Sequence, residues 1–423
     1  MNPRELLTNS FKVAVNAANP TDLIPQHLPE SPKGRTLVIG AGKAAAAMAV
    51  VTENHWPDDA ALDGIVVTRY GHGMPTRRIT VIEAGHPLPD EKGEQVARKI
   101  LTKVQELSCN DLLLCLFSGG GSSLLSLPID EISMGDLRDV TRQLLRCGAS
   151  IQAINTVRKH LSAIQGGKLA AACKAPILAL IISDVTGDNP THVASGPCAP
   201  DPTTYADALA ILEGYEIKIP NNVRKALTDG SQQKLDETPK PGSFIFNNVE
   251  NRLIATANHS LTAAKKFFQG QGIATAILGD SVTGEAREVA KAYAALVKEI
   301  RQHHQPWKPP IALLSGGETT VTVKGNGRGG RNTEFLLSLA IELDGIENVY
   351  ALACDTDGVD GTENNAGAMI TPETLDRTKQ LRINAKTLLA NNDTYRFFDK
   401  LGDLVITGPT HTNVNDYRVI LVL

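Results

Sequence analysis

Residues 36–50 read TLVIGAGKAAAAMAV. A short run of β-branched and leucine residues meets a glycine turn, and an alanine-rich helix leaves it. That hand-over is the unit from which parallel sheets are built. It recurs downstream. DLLLCLF (111–117) is a wholly apolar strand that ends in SGGGSS (118–123), and ILALII (177–182) is another that ends in SDVTGD (183–188). GIVVT (64–68) and ITVIE (79–83) read as further strands, and helices fit 4–17, 90–107 and, as a pair, 133–172. Apolar strands alternating with helices predict a parallel sheet covered on both faces.

Composition changes between 199 and 243, where APDPTTYADALAILEGYEIKIP is followed by DGSQQKLDETPKPGS. Proline and charge mark an insertion and a linker there, so the domains are expected at 1–243 and 244–423. The pattern then restarts. Strands are expected at 252–256, 273–278, 311–314, 319–323, 349–353, 403–406 and 417–422, with helices at 259–269, 283–303, 332–343 and 385–400.

The net charge is −4 and basic residues are not interleaved with aromatics, so nucleic acid is not an expected partner. No apolar stretch approaches the roughly 18 residues of a membrane span, and the N-terminus lacks a signal-peptide core. The six cysteines form no C-x-x-C pair and read as buried thiols in a reducing compartment. The expectation is a cytoplasmic protein. G-x-S-x-G and H-E-x-x-H are absent, which removes two hydrolase chemistries.

Four glycine turns are candidates for holding an anion. Gly40-Ala41-Gly42-Lys43 stands where a strand becomes a helix, with a cation beside it; Ala45 takes the third glycine position of the dinucleotide pattern. Ser118-Gly119-Gly120-Gly121-Ser122-Ser123 offers backbone amides and hydroxyls at the carboxyl end of a strand. Ser315-Gly316-Gly317-Glu318 repeats that placement in the second half, and KGNGRGGRNTE (324–334) carries Arg328 and Arg331, with Asn332 following. Two guanidinium groups on such a loop suit phosphoryl oxygens, and a flexible hairpin with solvated arginines is the alternative. Asn155, Arg158 and Lys159 share a helix face that could meet an anionic substrate or stay solvated. Asp184 and Asp188, and Asp355 and Asp357 in ACDTDGVDGTENNAG (353–367), stand where a phosphate-bound metal could be met. TGPTHTNVND (407–416), with Asn413, reads as a polar site wall.

VIGAGKAAAAMA, LFSGGGSSLL, INTVRKHLSAIQGGKLA, LIISDVTGDNPTHVASGP, LLSGGETTVTVKGNGRGGRNTEFLL, DTDGVDGTENNAGA and TGPTHTNVND occur in order along nearly the whole chain. Together they resemble the glycerate 2-kinase family, whose C-terminal half is the MOFRL domain. The resemblance implies two α/β domains, a Rossmann-like N-terminal one and a MOFRL C-terminal one, with the active site in the interdomain cleft. It implies ATP and Mg²⁺, D-glycerate as substrate, phosphorylation of the 2-hydroxyl, and Lys43 and Arg331 in the active site. On that reading glycerate's carboxylate meets the 155–159 face, and the γ-phosphate lies between the 118–123 and 328–331 loops while Lys43 neutralises charge. A homodimer is a compatible assembly. Segment 200–243 and TANHSLTAA depart from the family pattern. Some members carry the label hydroxypyruvate reductase, so an NAD(P)H-dependent reductase is the alternative; no acidic residue is convincingly placed to hold a dinucleotide ribose. A non-catalytic sugar-phosphate regulator using the same turns is a further rival.

Overall fold

A computed structural model describes residues 2–423, which divide into two compact units, one of residues 20–254 and the other of residues 2–19 with 255–423.

In the first unit six strands, β1 (Thr36–Ala41), β2 (Leu62–Arg69), β3 (Ile79–Ala84), β4 (Leu112–Phe117), β5 (Ile177–Ile182) and β6 (Val249–Ala255), lie in the order β3-β2-β1-β4-β5-β6. β1 through β5 pair in parallel. Every residue of β1, β4 and β5 is buried, which explains why they read as continuous apolar runs rather than alternations. The order reverses between β1 and β4, with Ala41 in register with Phe117. Ligands of doubly wound sheets sit outside the carboxyl ends of the strands at such a reversal. The Gly40–Lys43 and Ser118–Ser123 turns both leave the sheet there.

The stretch 199–243 is not a linker. It contains helices Tyr205–Gly214 and Asn221–Ser231, whose Tyr205, Ala208, Leu212, Val223 and Leu227 close a core with Leu137, Val140, Ile154 and Val157. Thr204 and Asp207 cap the first of them reciprocally. The first unit therefore runs on to 254, past the expected boundary at 243, because residues 249–254 supply its edge strand. The interval 133–172 holds three helices, Met134–Arg146, Ile151–His160 and Lys168–Ala172, rather than two.

The second unit carries a mixed sheet. Strands β7 (Ala274–Gly279), β8 (Ile311–Ser315), β9 (Val349–Asp355), β10 (Gly367–Ile370), β11 (Leu404–Val405) and β12 (Asp416–Val422) are ordered β11-β10-β9-β12-β8-β7. β7 and β8 are parallel; β12 runs antiparallel to β8 and β9, and β10 antiparallel to β9 and β11. The opening helix Pro3–Asn16 belongs to this unit: Leu7, Phe11 and Ala14 pack with Phe268, Leu314, Leu352 and Val419. Residues 319–323 do not form the expected strand. Thr320 makes one bridge to Glu285, and the Glu285 carboxylate takes the Thr322 amide at 3.0 Å. The expected helix 385–400 breaks into Ala385–Ala390 and Thr394–Leu401.

Candidate active site

The Gly40–Lys43 turn is clasped to the neighbouring loop. A side chain at Gly40 would stand 2.6 Å from the Leu116 carbonyl oxygen, and one at Gly42 would stand 2.2 Å from Ser118 Oγ. The Lys43 amide donates to the Gly119 carbonyl at 2.9 Å, and the Ala44 amide to Ser118 Oγ at 3.0 Å. The amides that would hold a pyrophosphate at this helix start are thus used within the protein. The two glycines allow this close packing. Of residues 118–123 only Gly120 and Ser122 are not fully buried. A side chain at Gly120, where φ is +80°, would meet His86 Nε2 at 2.7 Å and Lys43 Cγ at 3.6 Å. Lys43 and His86 therefore flank the half-buried tip of the loop. Ser123 Oγ turns inward to the Gly120 carbonyl at 3.2 Å, and a side chain at Gly121 would strike Ala194.

Helix Ile151–His160 presents a buried face, not a solvated one: Asn155, Arg158 and Lys159 are all buried. Their fates differ. Lys159 Nζ bonds Thr191 Oγ1 at 2.7 Å and pairs with buried Asp201 at 3.3 Å. It is a tie inside the unit, which corrects its assignment to a substrate carboxylate. Burial lowers its pKa and Asp201 opposes that. His160 packs edge-on against Tyr205 and bonds Glu237 at 3.0 Å. Burial alone would raise the Glu237 carboxyl, but the His160 bond and two backbone amides hold it down at about 2.

Among the described residues no carboxylate pairs with Arg158. It is 7% exposed, and its guanidinium makes one hydrogen bond, from Nη1 to Asn155 Oδ1 at 3.2 Å. Burial pulls its pKa down to about 10. It stays charged at neutral pH, and the described residues accept only one hydrogen bond from its five N–H donors, which suits a receptor for an anion. Ser195, also buried, lies 2.9 Å from Asn155 Oδ1 and 2.9 Å from Ser122 Oγ. Ala194, Ser195 and Gly196 adopt φ of 50°, 58° and 60° in succession. Left-handed backbone at two non-glycine residues in a row is costly, and such strain collects at functional sites. Residue type alone does not reveal it; the small-residue run ASGP after β5 is the one trace in the sequence. Asp184 and Asp188 lie on the loop that leads there from β5, Asp188 with φ of 52°.

In the second unit Arg331 opens helix Arg331–Leu343 and is held by three carboxylates: Asp416 on Nε at 2.8 Å, Glu318 on Nη1 at 2.7 Å and Asp355 on Nη2 at 2.7 Å. Burial would lower its pKa, but the three acids raise it well above the ordinary value. Asp416 is in turn held by Arg418, fully buried over the Phe335 ring, and by Asn332 Nδ2 at 2.8 Å. Asn332 is thereby a buried strut. Asp360 anchors the same helix start, accepting from the Asn332 and Thr333 amides at 3.0 and 2.9 Å.

The glycine-rich loop 324–330 is neither a flexible hairpin nor an open phosphate clamp. Asn392 Oδ1 takes the Lys324 and Gly325 amides, Asn391 O the Gly327 amide, and Asp393 the Arg328 amide. Side chains at Gly325, Gly327, Gly329 and Gly330 would all collide with residues 391–394 or Asp360. The break in the expected 385–400 helix supplies this clamp. Arg328 pairs with Glu363 and lies over the Tyr395 ring at 4.7 Å. Ser315, Gly316 and Gly317 are similarly stitched in, with Arg418 donating to Gly316 O at 3.2 Å and the Asp416 amide to Gly317 O at 3.1 Å. Glu318 is the exposed member. Asp355 Oδ1 accepts the Asp357 amide, Asp357 accepts from Val359, and buried Asn413 accepts from Asn415. Among the described residues no group of three or more His, Cys, Asp or Glu is placed to hold a metal ion. None of their helices is long and apolar enough to cross a membrane.

The doubly wound sheet, with a buried guanidinium that no described carboxylate pairs and a hydroxyl network beside it, has the make-up of an α/β protein that handles small anions. Comparison with known proteins narrows this. The DUF4147 model, a domain of unknown function, matches residues 6–228, and the MOFRL family model matches 311–416. A protein of Agrobacterium vitis, provisionally named a hydroxypyruvate reductase, is 48% identical over 99% of this chain and 94% of its own. The D-glycerate 2-kinase of Thermotoga maritima is 40% identical over 99% of this chain and 98% of its own. A crystal structure of glycerate kinase from Thermotoga maritima matches with a TM-score of 0.87 at 40% identity, covering 98% of each chain. The chain belongs to the glycerate 2-kinase family.

Proposed function

We propose that this protein transfers the terminal phosphoryl group of ATP to the 2-hydroxyl of D-glycerate, giving 2-phosphoglycerate. The observation that carries the reading is Arg158: a buried guanidinium without a counter-ion, at the carboxyl side of a doubly wound sheet, suits the carboxylate of a small acid. Full-length relatives named for this activity support it.

Phosphoryl transfer asks for positioning and charge neutralisation rather than covalent chemistry. Arg158 fixes the acid. Lys43, beside Gly120, supplies a cation toward the transferring group. Arg331, in the second unit, is assigned a phosphoryl-binding role in which it exchanges its exposed partner Glu318 for phosphoryl oxygens, while Asp355 and Asp416 keep its orientation. A magnesium ion bound with the nucleotide would neutralise phosphate charge and would need only one or two protein carboxylates. Asp184 and Asp188 after β5 and Asp357 just beyond β9 are the proposed contacts, while Asp355, the last residue of β9, stays with Arg331. All six cysteines are free thiols, which supports a reducing, cytoplasmic location.

The reductase reading rests on the A. vitis names and the Gly40–Lys43 turn. Its anchor is weakened because the amides of that turn bond residues 118 and 119. The test is a paired assay: ADP release with D-glycerate, ATP and Mg²⁺ against NADH or NADPH oxidation with hydroxypyruvate. Only the first should proceed. Lys43→Ala and Arg331→Ala should each lose on the order of 10²-fold or more in kcat; unchanged turnover would remove that residue from the mechanism.

A further inference from the structure

The hydrogen bonds around Arg158 have a direction that can be worked out atom by atom. A guanidinium only donates, so the Asn155 atom 3.2 Å from Arg158 Nη1 is the amide oxygen. A carbonyl only accepts, so the Asn155 atom 3.2 Å from His192 O is the amide nitrogen. Two independent contacts therefore fix this amide. Ser195 Oγ lies 2.9 Å from both Asn155 Oδ1 and Ser122 Oγ and owns one proton. The Asn155 oxygen has none to give, so Ser195 donates to Asn155. Ser122 must then donate to Ser195.

Ser122 has its proton committed to Ser195, which leaves only its lone pairs for a ligand. It can accept from a ligand and cannot donate to one, so it is mismatched to a phosphate oxygen. It is also the one hydroxyl of the chain Ser122–Ser195–Asn155 that is not fully buried. Its backbone is held by Gln165 Nε2 at 2.8 Å and Ser126 Oγ at 2.9 Å, both on the Ser122 carbonyl. The strained 194–196 backbone holds Ser195 in place.

We infer that Ser122 Oγ accepts a hydrogen bond from the hydroxyl of the bound acid that is not phosphorylated, so that Arg158 and Ser122 together select a dihydroxy acid over a monohydroxy acid. This rests on the proposed kinase reading and assigns Ser122 a specificity role. D-Glycerate carries both hydroxyls, and D-lactate lacks the 3-hydroxyl. The experiment compares the KM for D-glycerate with the inhibition constant of D-lactate competing against it, in the unmodified protein and in Ser122→Ala. The KM for glycerate should rise about ten-fold, the worth of one hydrogen bond of this kind. The lactate constant should stay within about two-fold, and that retained binding shows that the altered site is folded. A parallel rise of both constants, or no change in either, overturns the inference and leaves the kinase reading standing. An unmodified protein that releases no ADP from ATP with glycerate overturns both.

Discussion

Arg158→Met should make the protein more stable and worse at binding its substrate. Burial draws the guanidinium from 12.5 to about 10, so keeping it charged in the empty protein costs about 3 kcal/mol. Methionine keeps much of the apolar stem and removes the charge. The hydrogen bond to Asn155 Oδ1 is lost, worth about 1 kcal/mol, and the stem repacks imperfectly. A net gain of about 1–2 kcal/mol remains, raising the melting temperature of the first unit by a few degrees. Glycerate loses a charge-assisted contact, so its KM should rise on the order of 10²-fold. The assay is thermal unfolding with and without D-glycerate, together with steady-state kinetics. Glycerate should raise the melting temperature of the unmodified protein and leave the variant unmoved. A variant that melts lower while keeping its KM would refute the reasoning, because Arg158 would then be a structural residue.

Three further outcomes are expected. Lys168 donates to the Lys159 and Ser162 carbonyls, and burial draws its ammonium down to about 8 from 10.5. Between those values the unfolded chain holds the extra proton, so this residue makes stability rise with pH there, by about 3 kcal/mol at most. The stability advantage of Lys168→Met over the unmodified protein, measured by denaturant titration, should be largest below pH 8 and shrink toward pH 10.5; a pH-independent difference contradicts it. Asp416→Asn leaves buried Arg418 without its carboxylate and Arg331 with one anchor fewer. It should cost about 3–5 kcal/mol in the second unit, seen as a lower unfolding midpoint, and should lower kcat. Glu318→Gln frees Arg331 from its exposed competitor, so the KM for ATP should fall; a rise would show that Glu318 assists nucleotide binding.

The first sheet was legible because its strands are buried on both faces and end in glycine or serine turns. The helices of 199–243 were less so, since the prolines and charges that flank them masked the spacing of Tyr205, Ala208 and Leu212. The roles of the glycines were ambiguous for a physical reason. A glycine that lets a ligand approach and one that lets Ser118 or Asn391 approach look alike in sequence. Charge was likewise ambiguous. Lys159 and Arg158 are adjacent on one helix, yet Asp201, from a segment read as linker, satisfies one and leaves the other. Ser195 and His86 were missed because their significance lies in backbone conformation and in proximity to a loop distant in sequence.

Phosphorus NMR of the product formed from D-glycerate, ATP and Mg²⁺ tests the central claim most directly. A phosphate on the 2-oxygen couples to one carbon-bound proton and gives a doublet; one on the 3-oxygen couples to two and gives a triplet. The proposed function predicts the doublet of 2-phosphoglycerate growing with the signals of ADP. A triplet would contradict the regiochemistry, and an unchanged ATP spectrum would contradict the assignment of a kinase.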